Sequence, residues 1–196
     1  MTVFNPMRAI LAITASGLVA SSAMAADGTI NFTGEINNVS CSVTAGGGGT
    51  GTGTTQIINV PLGKVSINSI NKPVENSIAS TVRININLDC GSTGAGLDSV
   101  DMKFDPVAGS GIDPSRSDLL KTRGTAKGVG IAIYNENNAI INMAANEIIT
   151  GNLTETSAGS GSYKSNISLR AGFLANGDKV VAGDATGTLP FSLTYR

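Results

Sequence analysis

The chain has 196 residues, a formal net charge of −1 and no histidine. A near-neutral surface gives no electrostatic case for nucleic acid. Without histidine there is no Ser-His-Asp or Cys-His nucleophile, and 25 glycines against five phenylalanines, three tyrosines and no tryptophan point to a turn-rich chain.

Met1 to Arg8 carries one positive charge and no acid, and Ala9 to Ala20 is a run of apolar and small residues. Ala23-Met24-Ala25 has the small-x-small pattern of a cleavage site. Residues 1–25 therefore read as a secretory signal peptide, too short and wrongly flanked for a membrane span. No other stretch is apolar for long enough to span a bilayer. The mature chain, from about Ala26, is of single-domain size.

Alternation at period 2 dominates the mature chain. Ile30, Phe32, Gly34 and Ile36 share one face of a first segment. Val82, Ile84, Ile86 and Leu88 do so in a second, Val129, Ile131 and Ile133 in a third, and Leu189, Phe191, Leu193 and Tyr195 at the end. Each reads as a half-buried strand, apolar inward and polar outward. Shorter strand-like runs are 56–60, 100–104, 140–143 and 163–169. Residues 115–122 fit one helical turn. The stretches 46–53, 91–96 and 158–162 are rich in glycine, serine and threonine and read as loops. Short strands separated by turn formers predict an all-β sandwich or barrel.

Cys41 and Cys90 are an even count in an exported chain and read as one disulfide. Two free thiols are one alternative. A metal pair is the other, and it lacks partners, since there is no histidine and no further cysteine. Asp98, Asp101 and Asp105 lack the spacing of a calcium loop. The glycine run at Gly46 lacks the Lys-Ser or Lys-Thr of a phosphate cradle. No catalytic, cofactor or metal site is expected.

The first and last alternating segments carry no blunting charge on their apolar faces. Such edges invite pairing with another strand. Pairing within one chain and pairing between chains are both open at this point.

These residues resemble the pilins of the chaperone–usher pathway, in particular the type 1-like fimbrial major subunits. Asp27-GTINFTGEINNVSCSV is similar to a donor-strand extension running into the first cysteine, with Gly34 seven residues before Cys41. NVPLGKVSI (Asn59 to Ile67) and INLDC, ending at Cys90, are similar to the region of the second cysteine. Gly183, fourteenth from the C-terminus, and the penultimate Tyr195 match the pilin β-zipper motif.

The resemblance covers essentially the whole mature chain. It implies an incomplete immunoglobulin-like sandwich that lacks its last strand and is completed by a neighbour. Residues 26–40 would be the donor extension and the start of the first strand, and 41–196 the pilin domain. Gly28, Ile30, Phe32, Gly34 and Ile36 would form the donor strand. Gly183, Leu189, Phe191, Leu193, Tyr195 and Arg196 would line the groove and meet first a periplasmic chaperone and then the next subunit. The implied partners are other copies, related pilins, the chaperone and an outer-membrane usher, and the implied product is a surface fimbria that supports adhesion. No enzyme activity and no cofactor are implied. A minor tip adaptor is the alternative. A carbohydrate-binding adhesin would need a further N-terminal lectin domain, for which the mature chain has no room. Pro190 falls within the last strand-like segment and donates no N–H, so the ladder is expected to end, bulge or face outward there.

Overall fold

The computed structural model describes residues 41–47, 57–70 and 81–196. All belong to the compact unit Asn37–Arg196. The signal-peptide and donor-strand expectations (Gly28, Ile30, Phe32, Gly34, Ile36) lie outside the described residues.

The alternation around Ile84 becomes β2 (Thr81–Gly91), with Ile84, Ile86, Leu88 and Cys90 buried and Arg83, Asn87 and Asp89 exposed. β2 lies between β1 (Ser42–Gly47) and β8 (Tyr163–Ala175), antiparallel to both. On its other side β8 pairs with β7 (Thr154–Glu155) near its start and β5 (Val129–Tyr134) near its end. β5 in turn pairs with β4 (Leu120–Lys121). A second sheet has the order β6 (Ile148–Asn152), β3 (Ser99–Phe104), β9 (Phe191–Tyr195), also antiparallel. Two short helices, α1 (Ile67–Ile70) and a 3-10 turn at Ser92–Gly94, complete the described elements.

The inward faces of the two sheets form one core, with Leu88, Val100, Met102, Ile141 and Ile167 at its most buried points. The chain changes sheets between β6 and β7. Buried Leu153 is the pivot, and its N–H donates to Asp98 O at 2.9 Å. A side chain at Gly151 would begin 2.6 Å from Ser165 Oγ. The sheets can approach this closely only because Gly151 has none. The Cys41–Cys90 disulfide joins the residue just before β1 to the end of β2, one step beyond the Ser42–Asp89 pair.

Several sequence expectations differ from the fold. Residues 57–63 are extended but form no strand beyond a single bridge at Asn59. Ile140 makes one bridge, to Tyr134, and Ile141 and Met143 enter the core from a turn. Residues 115–122 hold a turn and β4 instead of a helical turn: the Leu119 N–H donates to Arg116 O at 3.1 Å, and Leu120 and Lys121 then pair with β5. Gly46 and Gly47 complete β1 rather than opening a loop. β5 is buried on both faces, since Ala132 and Tyr134 pack with Leu119 in a small satellite cluster. By contrast, the ladder of the last strand ends at Pro190 as expected: β9 begins at Phe191, and the Pro190 carbonyl accepts the Asp105 N–H at 2.8 Å.

Candidate functional site

β9 pairs only with β3 among the described residues. Among the described residues, the sandwich is open at the start of β9. A groove of about 1070 Å³ runs between the sheets. Its floor is core: Ile84 and Ile86 of β2, Ile131 and Ile133 of β5, and Leu169, Ala171 and Phe173 of β8. Phe104 and Phe191 close it on the side of the second sheet. One rim is the extended segment 57–63, and the other is the segment 185–190 that leads into β9.

Among the described residues, no titratable side chain lines the groove. The described lining therefore offers no ionisable acid or base, and its side-chain hydroxyls are those of Thr186 and Thr188. It offers apolar area and, along its rims and β9, backbone groups. That combination suits an added extended strand: main-chain hydrogen bonds along the edge and alternate apolar side chains into the core. A row of core residues left open in this way favours any occupant that removes it from water.

Leu189 and Phe191 line the groove. Leu193 and Tyr195 pack against the same core further along β9, and burial raises the Tyr195 hydroxyl above its ordinary value. Arg196 lies beyond the groove and is pinned to β3. Its side chain pairs with Asp101 at 2.9 Å, and its backbone oxygen accepts the N–H groups of Asp98 at 2.6 Å and Ser99 at 2.9 Å.

Gly183 lies outside the groove lining. Its α-carbon sits against the backbone of Thr125 and Ala126. There the segment 181–186 forms a ribbon with 123–127, including the reciprocal Arg123–Thr186 hydrogen bonds at 2.8 Å. Sequence reasoning missed Gly187, which does line the groove, directly over Leu120 and Ile131. It also gave the run 56–60 no functional weight, although the alternation of Ile58, Val60 and Leu62 was there to mark one rim. Gly187 left no such signal.

Among the described residues, no helix is long and apolar enough to cross a membrane, and no group of three or more His, Cys, Asp or Glu could hold a metal ion. The family model described as "Fimbrial protein" matches residues 30–196. The chain belongs to the fimbrial protein family. This fimbrial protein is 30% identical over 195 residues to Long polar fimbria protein A of Salmonella typhimurium, covering 98% of each chain. It is 31% identical over 187 residues to the Type-1 fimbrial protein subunit of Serratia marcescens, covering 95% of this chain and 96% of the relative. A chain from the structure of a chaperone–usher pilus superposes with a TM-score of 0.52 at 17% identity, covering 87% of this chain and 96% of that one. That likeness identifies the sandwich as the immunoglobulin-like pilin fold. The chain is a structural subunit of a fimbria, as its relatives are. The family is one of structural subunits rather than enzymes.

Proposed function

We propose that this subunit polymerises by donor-strand complementation and forms the repeating body of a fimbria on the cell surface. Residues 1–25 direct export and are removed. A periplasmic chaperone first fills the groove, and at an outer-membrane usher the segment 28–36 of the next copy replaces it. Ile30, Phe32 and Ile36 point into the acceptor's core, and Gly34 allows close backbone approach. Leu189 and Phe191 are the acceptor residues on the groove wall, continued along β9 by Leu193 and Tyr195.

The observation that carries this reading is the apolar groove that, among the described residues, lies open between the segments 57–63 and 185–190 at the start of β9. Burying a residue such as Ile30 or Phe32 in it is worth roughly 1.5–3 kcal/mol each. The reading is tested by deleting residues 27–36 and producing the chain in periplasm with its chaperone. Unboiled, non-reducing SDS gels should give a ladder for the full chain and only monomer or chaperone complex for the deletion. A ladder from the deleted chain, or a soluble deleted monomer that needs no chaperone, overturns it.

A further inference from the structure

Asn176 and Gly177 follow β8, away from the groove. The Asn176 side chain is buried, at 9% exposure. Its Nδ2 donates to Asp113 Oδ1 at 3.2 Å and Oδ2 at 3.0 Å. Its Oδ1 accepts the Asp178 N–H at 3.1 Å, and its own backbone N–H donates to Gly128 O at 3.2 Å. Asp113, at 5% exposure, also accepts the N–H groups of Ser115 at 2.9 Å and Arg116 at 3.2 Å. One carboxylate–amide contact thus ties the loop after Ile112 to the loop after β8. Charge-assisted bonds of this kind are the stronger ones.

The hub needs an amide at 176 that can both donate and accept. The turn needs glycine at 177, where φ is +102°. Together they create Asn-Gly, the dipeptide in which the following backbone nitrogen is least hindered from reaching the side-chain amide carbon.

We propose that Asn176-Gly177 is a latent deamidation site, held shut by Asp113 in the folded subunit and open whenever this hub unfolds. In the reaction the Gly177 nitrogen bonds to Asn176 Cγ and gives up its proton. Nδ2 leaves with a proton as ammonia, and a five-membered succinimide remains. Water then opens the ring to aspartate or isoaspartate. No oxidant or reductant is involved. In the fold, bonds to both ends of the amide stop Cγ from turning toward the Gly177 nitrogen. After reaction, a second carboxylate would face that of Asp113 at the distance now spanned by the amide bonds. Two buried like charges so close oppose each other, so the modified chain rebuilds the hub only at a cost in stability. The site converts time spent unfolded into a lasting folding defect.

Peptide mapping by mass spectrometry of the full mature chain, incubated at neutral pH folded and in urea, tests this. Conversion at Asn176 should be at least about tenfold faster in urea, because reaction of the folded chain waits on local opening. Asp113→Ala should raise the folded-state rate toward the urea rate, and Asn176→Asp should lower the urea midpoint of unfolding. Equal rates in the folded and unfolded wild type overturn the proposal, as does a folded Asp113→Ala chain that stays as protected as wild type. Should Asp113→Ala fail to fold, a graded urea series on the wild type decides. The rate must climb with the unfolded fraction, and a flat rate overturns the proposal.

Discussion

Gly183 and Gly187 stand four residues apart in one segment, and their surroundings differ in kind. At Gly183 a side chain would strike the backbone of Thr125 and Ala126, which cannot yield without breaking the ribbon to 123–127. At Gly187 it would meet Ile131 Cδ1 at 2.8 Å and Leu120 Cδ2 at 3.0 Å, the far ends of two side chains on the groove floor. The first glycine holds the groove wall in place, and the second keeps the groove open. Two substitutions separate these roles. Gly183→Ala should cost about 1–3 kcal/mol as an overpacking change, lowering Tm by about 2–4 °C per kcal/mol in a domain of this size. Gly187→Leu should leave the fold intact but fill the space a donor side chain needs, so the SDS-resistant ladder shortens or disappears. The assignment fails if Gly187→Leu unfolds the chain and Gly183→Ala leaves Tm unchanged.

At the scale of elements, the Cys41–Cys90 bond secures β1, an edge strand of serine, threonine, alanine and glycine with only Val43 fully buried. A separation of 49 residues makes the bridge worth about 4 kcal/mol on the chain-entropy model. Cys41→Ser with Cys90→Ser should lose most of that in urea unfolding. A loss below about 1 kcal/mol would mean that β1 is held by its ladder to β2 alone. The weakness of β1 also explains what the sequence could reveal. β2, β3, β8 and β9 were legible because one face of each meets core and the other water, so their side chains alternate in polarity. β6 was not legible, since it is an edge strand that switches sheets at Leu153 and buries only Gly151 fully. β4 and β7 are two residues long, too short for any period. The run 140–143 is apolar because Ile141 and Met143 plug the core from a turn, a tertiary demand that mimics a strand. The groove wall at Leu189 and Phe191 was readable from the same alternation. Gly187 was not, because its role depends on two side chains that only the fold brings beneath it.

For the molecule as a whole, the two sheets share a core that, among the described residues, lies open beside 185–190 and the start of β9, with a groove of about 1070 Å³. A sandwich in this state should be poorly soluble alone and depend on whatever fills it, because leaving core side chains in water costs free energy in proportion to their area. That dependence can be made intramolecular. Residues 27–36 are removed from the front of the mature chain and appended after Arg196 through a flexible Gly/Ser linker long enough for the segment to return along β9. Tethering raises the donor's effective concentration at the groove to the millimolar range. The rearranged chain should be a soluble monomer without chaperone, form no ladder, and unfold at higher urea than the chain that merely lacks 27–36. Placing aspartate at Ile30 and Phe32 of the appended segment should abolish the gain, since a buried unpaired carboxylate is costly. If the appended segment leaves solubility and unfolding midpoint where the deletion left them, the groove is not the acceptor of that segment, and residues 28–36 must pair elsewhere.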